Sequence, residues 1–136
     1  MRGPLYAAVF LGCAGAVQAG ECTALLGFVV GDEAPRLSGK EATCTTSRVL
    51  GGATSRDCFV AYDFRSQEAR QEFDALSQLL ENCSKAPVVR EGASVNHPDS
   101  YTQVTAQIEG RCVSLSLKDK GALEQTLIFL RRTQAP

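Results

Sequence analysis

The chain of 136 residues sets 14 Lys and Arg against 15 Asp and Glu, with one His and a formal net charge of −1. That balance, with no basic run, argues against nucleic acid or anionic lipid as a partner. The length suits one domain with its own core and is short for two, and 6 cysteines in so small a chain make redox compartment the first question.

Arg2 followed by an apolar run from Leu5 to Val17 reads as the n- and h-regions of a secretory signal, and the run is shorter than the roughly 20 residues of a spanning helix. Two cuts are open. Val17 and Ala19 form a small-x-small site in front of Gly20, whereas Leu11-Gly12-Cys13 is a lipobox-like alternative in which Cys13 is acylated and tethers the chain to a membrane. Bulky Phe10 and Leu11 and the very short signal it would leave count against the second cut. The expected organisation is a signal peptide over residues 1–19, cleaved after Ala19, and a single exported globular domain over 20–136.

Either cut leaves Cys22, Cys44, Cys58, Cys83 and Cys112, an odd number. In an oxidising compartment this predicts two bridges and one unpaired thiol. A metal site is not expected, because no C-x-x-C pair occurs and His97 is the single histidine.

"CTALLGFVV" from Cys22 is apolar on both faces and fits a buried strand or a short helix, and "GDEAPRLSGK" behind it reads as a loop. "EATCTTSRVL" and "RDCFVAYDF" flank "GGATS" and form a hairpin signal. In the second of these strands Cys58, Val60, Tyr62 and Phe64 share the expected core face. A loop centred on Gly51 opposes Cys44 to Cys58, whereas a two-residue turn at Gly51-Gly52 would oppose Cys44 to Phe59. The expected bridges are Cys44–Cys58, and Cys83 with Cys22 or Cys112.

"SQEARQEFDALSQLLENC" is the clearest helix. Ser66 is its N-cap and Glu68 sits at the positive end of its dipole, while Ala69, Phe73, Leu76, Leu80 and Cys83 make an apolar stripe that Pro87 prevents from continuing. "REGASVNHPDS" is loop-like. "YTQVTAQIE", "RCVSLSLK" and "QTLIFLRR" then read as three strands of an antiparallel meander, the last more central because Leu127 to Leu130 are apolar without a break. The fold class is therefore α+β: a mainly antiparallel sheet made of a hairpin and a three-strand meander, one long helix packed on a face, and disulfide staples.

Chemistry is sparse. His97, Asp99 and Ser100 invite a triad reading, but a triad draws its members from separate elements, and Asn-His-Pro-Asp reads as a turn with side chains capping local amides. Asp57 and Asp63 lie near opposite ends of one strand, too far apart for paired acid/base work and expected to be solvated. Arg131 and Arg132 read as a solvated strand end. Gly51-Gly52 begins no phosphate loop, and Asn82-Cys83-Ser84 is formally a glycosylation sequon. No motif is specific enough to name a family. The expected function is an exported, non-catalytic binding module of inhibitor, immunity or accessory type, whose partner is another protein. It is expected to use no cofactor, and to meet a membrane only if Cys13 is acylated. The alternatives are a thiol-redox protein or other small enzyme using the unpaired cysteine, and a structural envelope component.

Overall fold

Strands that alternate apolar and polar residues require cover on one face only, and a helix with one apolar stripe supplies it. The computed structural model describes residues 16–92 and 99–134. Helix α1 (Ala16–Val30) leads to the two-residue strands β1 (Arg36–Leu37) and β2 (Lys40–Glu41), then to β3 (Thr43–Arg48) and β4 (Thr54–Asp63). Helix α2 (Gln67–Cys83) follows, then β5 (Val89–Gly92), β6 (Tyr101–Ile108), β7 (Arg111–Lys120), a 3-10 turn at Gly121–Leu123 and β8 (Gln125–Gln134). β1 and β2 pair alone, and the other six strands form one sheet in the order β3-β4-β8-β7-β6-β5, every neighbour antiparallel. The fold is thus the α+β architecture expected, with its long helix on one face.

One face of the sheet is the core. Cys58, Val60 and Tyr62 of β4, Val104, Ala106 and Ile108 of β6, Val113, Leu115 and Leu117 of β7, and Ile128 and Leu130 of β8 are all buried there. Phe64, expected on that face, lies past the end of β4 and is exposed. The unbroken run in β8 has the anticipated cause, a position between β4 and β7: Ile128 and Leu130 face the core, while Leu127 and Phe129 are half-buried on the opposite side.

Helix α2 begins as expected, with the Ser66 hydroxyl accepting from the Ala69 amide at 3.2 Å. Ala69, Phe73, Ser77 and Leu80 are its buried residues. Ser77 was not foreseen; its hydroxyl donates to the Phe73 carbonyl at 2.7 Å, which removes the cost of burying it. Leu76 is half-buried beside an apolar cleft that Leu25, Phe28 and Leu37 also line.

The apolar run after Cys22 is helical, one of the two forms expected for it, and makes the second half of α1. Two other segments differ from their loop readings. "GDEAPRLSGK" contains β1, whose Leu37 is wholly buried, and the first residue of β2, so this segment adds cover to the core instead of hanging as a loop. "REGASVNHPDS" contributes Arg90 to Gly92 to β5, a fully exposed edge strand paired with β6; three strands after α2 become four. No helix among the described residues is long and apolar enough to cross a membrane.

The C-terminus of α1 is held by arginines from the sheet. Arg132, expected to be solvated, points to the core face, and its guanidinium donates to the Phe28 carbonyl at 2.9 Å, the Val29 carbonyl at 3.3 Å and the Gly31 carbonyl. These are carbonyls that no turn of helix remains to satisfy, at the negative end of the dipole. Arg56, directly opposite Arg132 across the β4–β8 ladder, donates to the Asp32 carbonyl at 2.8 Å. Gly31 is required by space, since a Cβ there would lie 2.8 Å from the Gly27 carbonyl oxygen.

Two predictions follow from this packing. Phe73→Ala should lower stability in urea melts by about 3–5 kcal/mol, and Gln71→Ala, on the exposed face, by under about 0.5 kcal/mol. Arg132→Met should cost about 1–3 kcal/mol in the same assay, because it keeps the apolar stem and strands the α1 carbonyls.

Candidate functional site

The cysteines of the described residues fall into two bridges and a thiol. Cys44 and Cys58 are cross-strand partners with Cα atoms 4.1 Å apart, in the register that a loop centred on Gly51 produces. Cys22 is joined to Cys83, which ties α1 to the last turn of α2. Cys112 is free and half-buried. Alternation along β7 puts it on the face away from α2, with Ser114 and Ser116, so it could not have competed for Cys83. Cys13 lies outside the described residues, and the expected scissile bond, Ala19–Gly20, falls within α1.

The bridge between β3 and β4 staples a hairpin whose tip is open. Its loop closes with the Val49 amide donating to the Ala53 carbonyl at 2.9 Å, and inside it the Gly52 amide donates to the Val49 carbonyl at 3.1 Å. Gly51 sits at φ 89°, which a glycine reaches without steric cost. This turn holds Leu50 wholly exposed, beside half-exposed Val49. β3 is also an edge of the sheet, and apart from half-buried Cys44 all its side chains are exposed. The short Cα separation of Cys44 and Cys58 marks a pair that exchanges no ladder bonds, so the backbone groups of Cys44, Thr46 and Arg48 point outward from the sheet. Arg48 is the one charged residue of this strand.

The sheet face opposite α2 is polar with an aromatic centre. Phe59 and Phe129 are directly paired across β4 and β8, their rings 5.5 Å apart. Next to them Arg131 donates its Nε to Asp57, so both residues that were expected to be solvated strand-end charges are engaged in an ion pair; Asp63 remains exposed. Lys118 lies over the Phe129 ring at 4.7 Å and separates two clefts. One, of about 130 Å³, runs past Ser114, Ser116 and Gln103 to Arg131. The other, of about 290 Å³, runs toward Ser100, Tyr101 and Lys120. Burial lowers the Lys118 pKa from its ordinary value, and the charges of Lys120 and Arg131 lower it further.

Asp119, next along β7, turns to the core face and is buried. Its carboxylate accepts from the Thr126 hydroxyl at 2.7 Å, the Ser100 hydroxyl at 2.7 Å and Arg65 Nε at 3.3 Å. Burial alone would push its pKa up, but those two hydroxyl bonds and the Arg65 guanidinium outweigh it and hold the carboxyl below its usual value. The Thr126 hydroxyl also accepts from the Arg65 amide at 2.7 Å, so β7, β8, the start of α2 and the approach to β6 meet at one carboxylate. Asp99, expected to cap a local amide, acts across the fold: its carboxylate accepts from the Gly121 amide at 3.0 Å. His97 lies outside the described residues. In the sequon, the Asn82 side chain accepts from Gln78 at 3.1 Å while Cys83 is bridged.

Asp119 and Lys118 were both missed, and each carries a signal in the alternation of β7. A carboxylate in register with Leu115 and Leu117 has to face the core, and a lysine in register with Ser114 and Ser116 has to face the aromatic pair.

No family model and no curated protein matches the chain. Among solved structures it is similar to the crystal structure of CalU16 from Micromonospora echinospora, at 14% identity and a TM-score of 0.30, over 71% of this chain and 69% of that one. A likeness that slight carries no argument.

The Asp119 cluster predicts a pH dependence. Its folded pKa lies below the unfolded value, so its contribution to stability is complete above about pH 4 and disappears as pH falls through the folded pKa. Asp119→Asn should therefore be clearly less stable than the parent at pH 7 in urea, and the gap should narrow as the buffer is taken below pH 4.

Proposed function

We propose that the protein is an exported, non-catalytic binding module that engages another protein by strand addition along β3 and by the apolar tip of the β3–β4 hairpin. Two disulfides in a small chain are typical of extracellular proteins and support the exported part of this reading. The observation that carries the binding part is the β3 edge itself. Edges are ordinarily blunted by charge, proline or brevity, because free backbone donors and acceptors recruit other strands. β5, the other edge, is four residues long and carries Arg90 and Glu91, whereas β3 offers six residues, five of them uncharged.

Backbone pairing would supply affinity along β3, and Leu50 would supply an apolar contact at the end of the same ladder. The Cys44–Cys58 staple and the Gly51 turn hold both in place before contact, which reduces the ordering cost of association. A thiol-redox role for Cys112 has less support: among the described residues no other cysteine shares its face.

The test is capture from the extracellular or periplasmic fraction of the native host. Thr46→Pro removes an outward amide without removing a ladder bond, and Leu50→Asp makes the tip polar. Both should lose a partner that the parent retains, while Leu123→Asp, at an exposed apolar site elsewhere, should keep it. Undiminished capture by both hairpin variants would sink the reading.

A further inference from the structure

The half-buried ammonium of Lys118 makes no ion pair among the described residues, and the one carboxylate whose charge favours it, Asp57, is bound to Arg131. The ammonium's neighbour is the Phe129 ring, and Lys120 and Arg131 bring further positive charge to the same face. The carboxylates that line the two clefts are committed elsewhere. Asp57 accepts from Arg131 and, at 3.3 Å, from the Ser55 hydroxyl; Asp99 accepts from Gly121; Asp119 faces the core with three donors of its own. Withdrawing a charge from water without pairing it is costly, and here it is done between two other cations.

The floor of the smaller cleft is built of weak bonds between groups able to donate. Ser116 Oγ reaches Gln103 Oε1 at 3.4 Å, Thr105 and Ser114 share a hydroxyl contact at 3.4 Å, and Gln103 Nε2 reaches Thr105 Oγ1 at 3.3 Å. Good hydroxyl bonds are about 2.7–2.8 Å long, so these hydroxyls would gain by turning to a better acceptor. Ser116 is itself buried at 5% exposure. The space of about 130 Å³ is several times the share of one water molecule, about 30 Å³, and suits a single small charged group.

We propose that Lys118, Ser114, Ser116 and Gln103 form a binding site for a tetrahedral oxyanion, the phosphate or sulfate group of a small molecule whose remainder lies in the larger cleft toward Tyr101 and Lys120. The anion supplies Lys118 with a direct counter-charge, which Asp57 gives only from a distance, and its oxygens accept from hydroxyl, amide and ammonium groups that approach from two strands. The site is on the broad face of the sheet and does not depend on the hairpin edge.

The probe is inorganic phosphate, with sulfate and acetate in parallel arms, titrated into the intact protein at constant ionic strength made up with chloride. Phosphate and sulfate should bind saturably at one site, and Lys118→Met should weaken them by about tenfold or more. Lys85→Met, at an exposed lysine beyond α2, should leave binding unchanged. In nuclear magnetic resonance spectra of the parent, phosphate should shift the amides of β7 and β8 around Ser116 and Phe129; this readout holds even if the variant folds poorly. Absence of saturable binding, shifts scattered over the surface, unchanged affinity in Lys118→Met, or acetate binding as tightly as phosphate would each overturn the assignment.

Discussion

A helix is about 10 Å across with its side chains, while five spacings between six strands add up to roughly 24 Å. One helix therefore cannot roof this sheet. Helix α2 packs mainly over β7, with β6 and β8 beside it, and reaches β4 least, so the apolar residues of β4 need further cover. The remaining cover comes from α1 and from Leu37 of the β1–β2 pair. Leu25, Phe28 and Val29 of α1 are buried, and Tyr62 of β4 reaches across to the Ser38 hydroxyl at 3.2 Å. A roof in pieces needs fastening, which the Cys22–Cys83 bridge provides at the middle of α1 and Arg132 and Arg56 at its C-terminal end.

The two bridges act over different distances. In the chain-entropy account, closing the 61-residue separation between Cys22 and Cys83 removes about 4 kcal/mol of unfolded-state freedom, and the 14-residue separation of Cys44 and Cys58 about 3 kcal/mol. The longer bridge ties α1 to the last turn of α2. The shorter reinforces a hairpin already paired along its whole length.

Strong periodicity was legible in the sequence, and single residues acting across the fold were not. The α2 stripe at intervals of three and four, its Ser66 cap and the alternation of β4, β6, β7 and β8 correspond to the observed elements, because each pattern encodes burial of one face. The α1 segment is apolar all round, so it offers no period from which to choose strand or helix. β5 has no buried side chain, and its pairing with β6 was therefore invisible to any reading based on burial. Arg132 and Asp119 were obscured by their charge. Solvation is the ordinary fate of such residues, and only their register with Leu130 and Leu117 contradicts it. The clefts beside Lys118 need residues from β4, β6, β7 and β8 at once, a juxtaposition set by strand order and absent from any local window.

The bridge pattern is nested: Cys44–Cys58 lies wholly inside the span from Cys22 to Cys83. If the chain is exported, emerging N-terminus first into an oxidising space, it presents Cys22 and Cys44 before Cys58, and Cys83 last of the four bridged cysteines. Oxidation in order of appearance joins the first two, a pairing absent from the folded molecule, and Cys112 arrives as a further thiol able to attack it. Correct maturation thus requires either that Cys22 wait, reduced, until α2 has emerged, or that a thiol–disulfide exchange undo the first bond. The yield of this fold should accordingly depend on isomerase capacity more than on oxidising power.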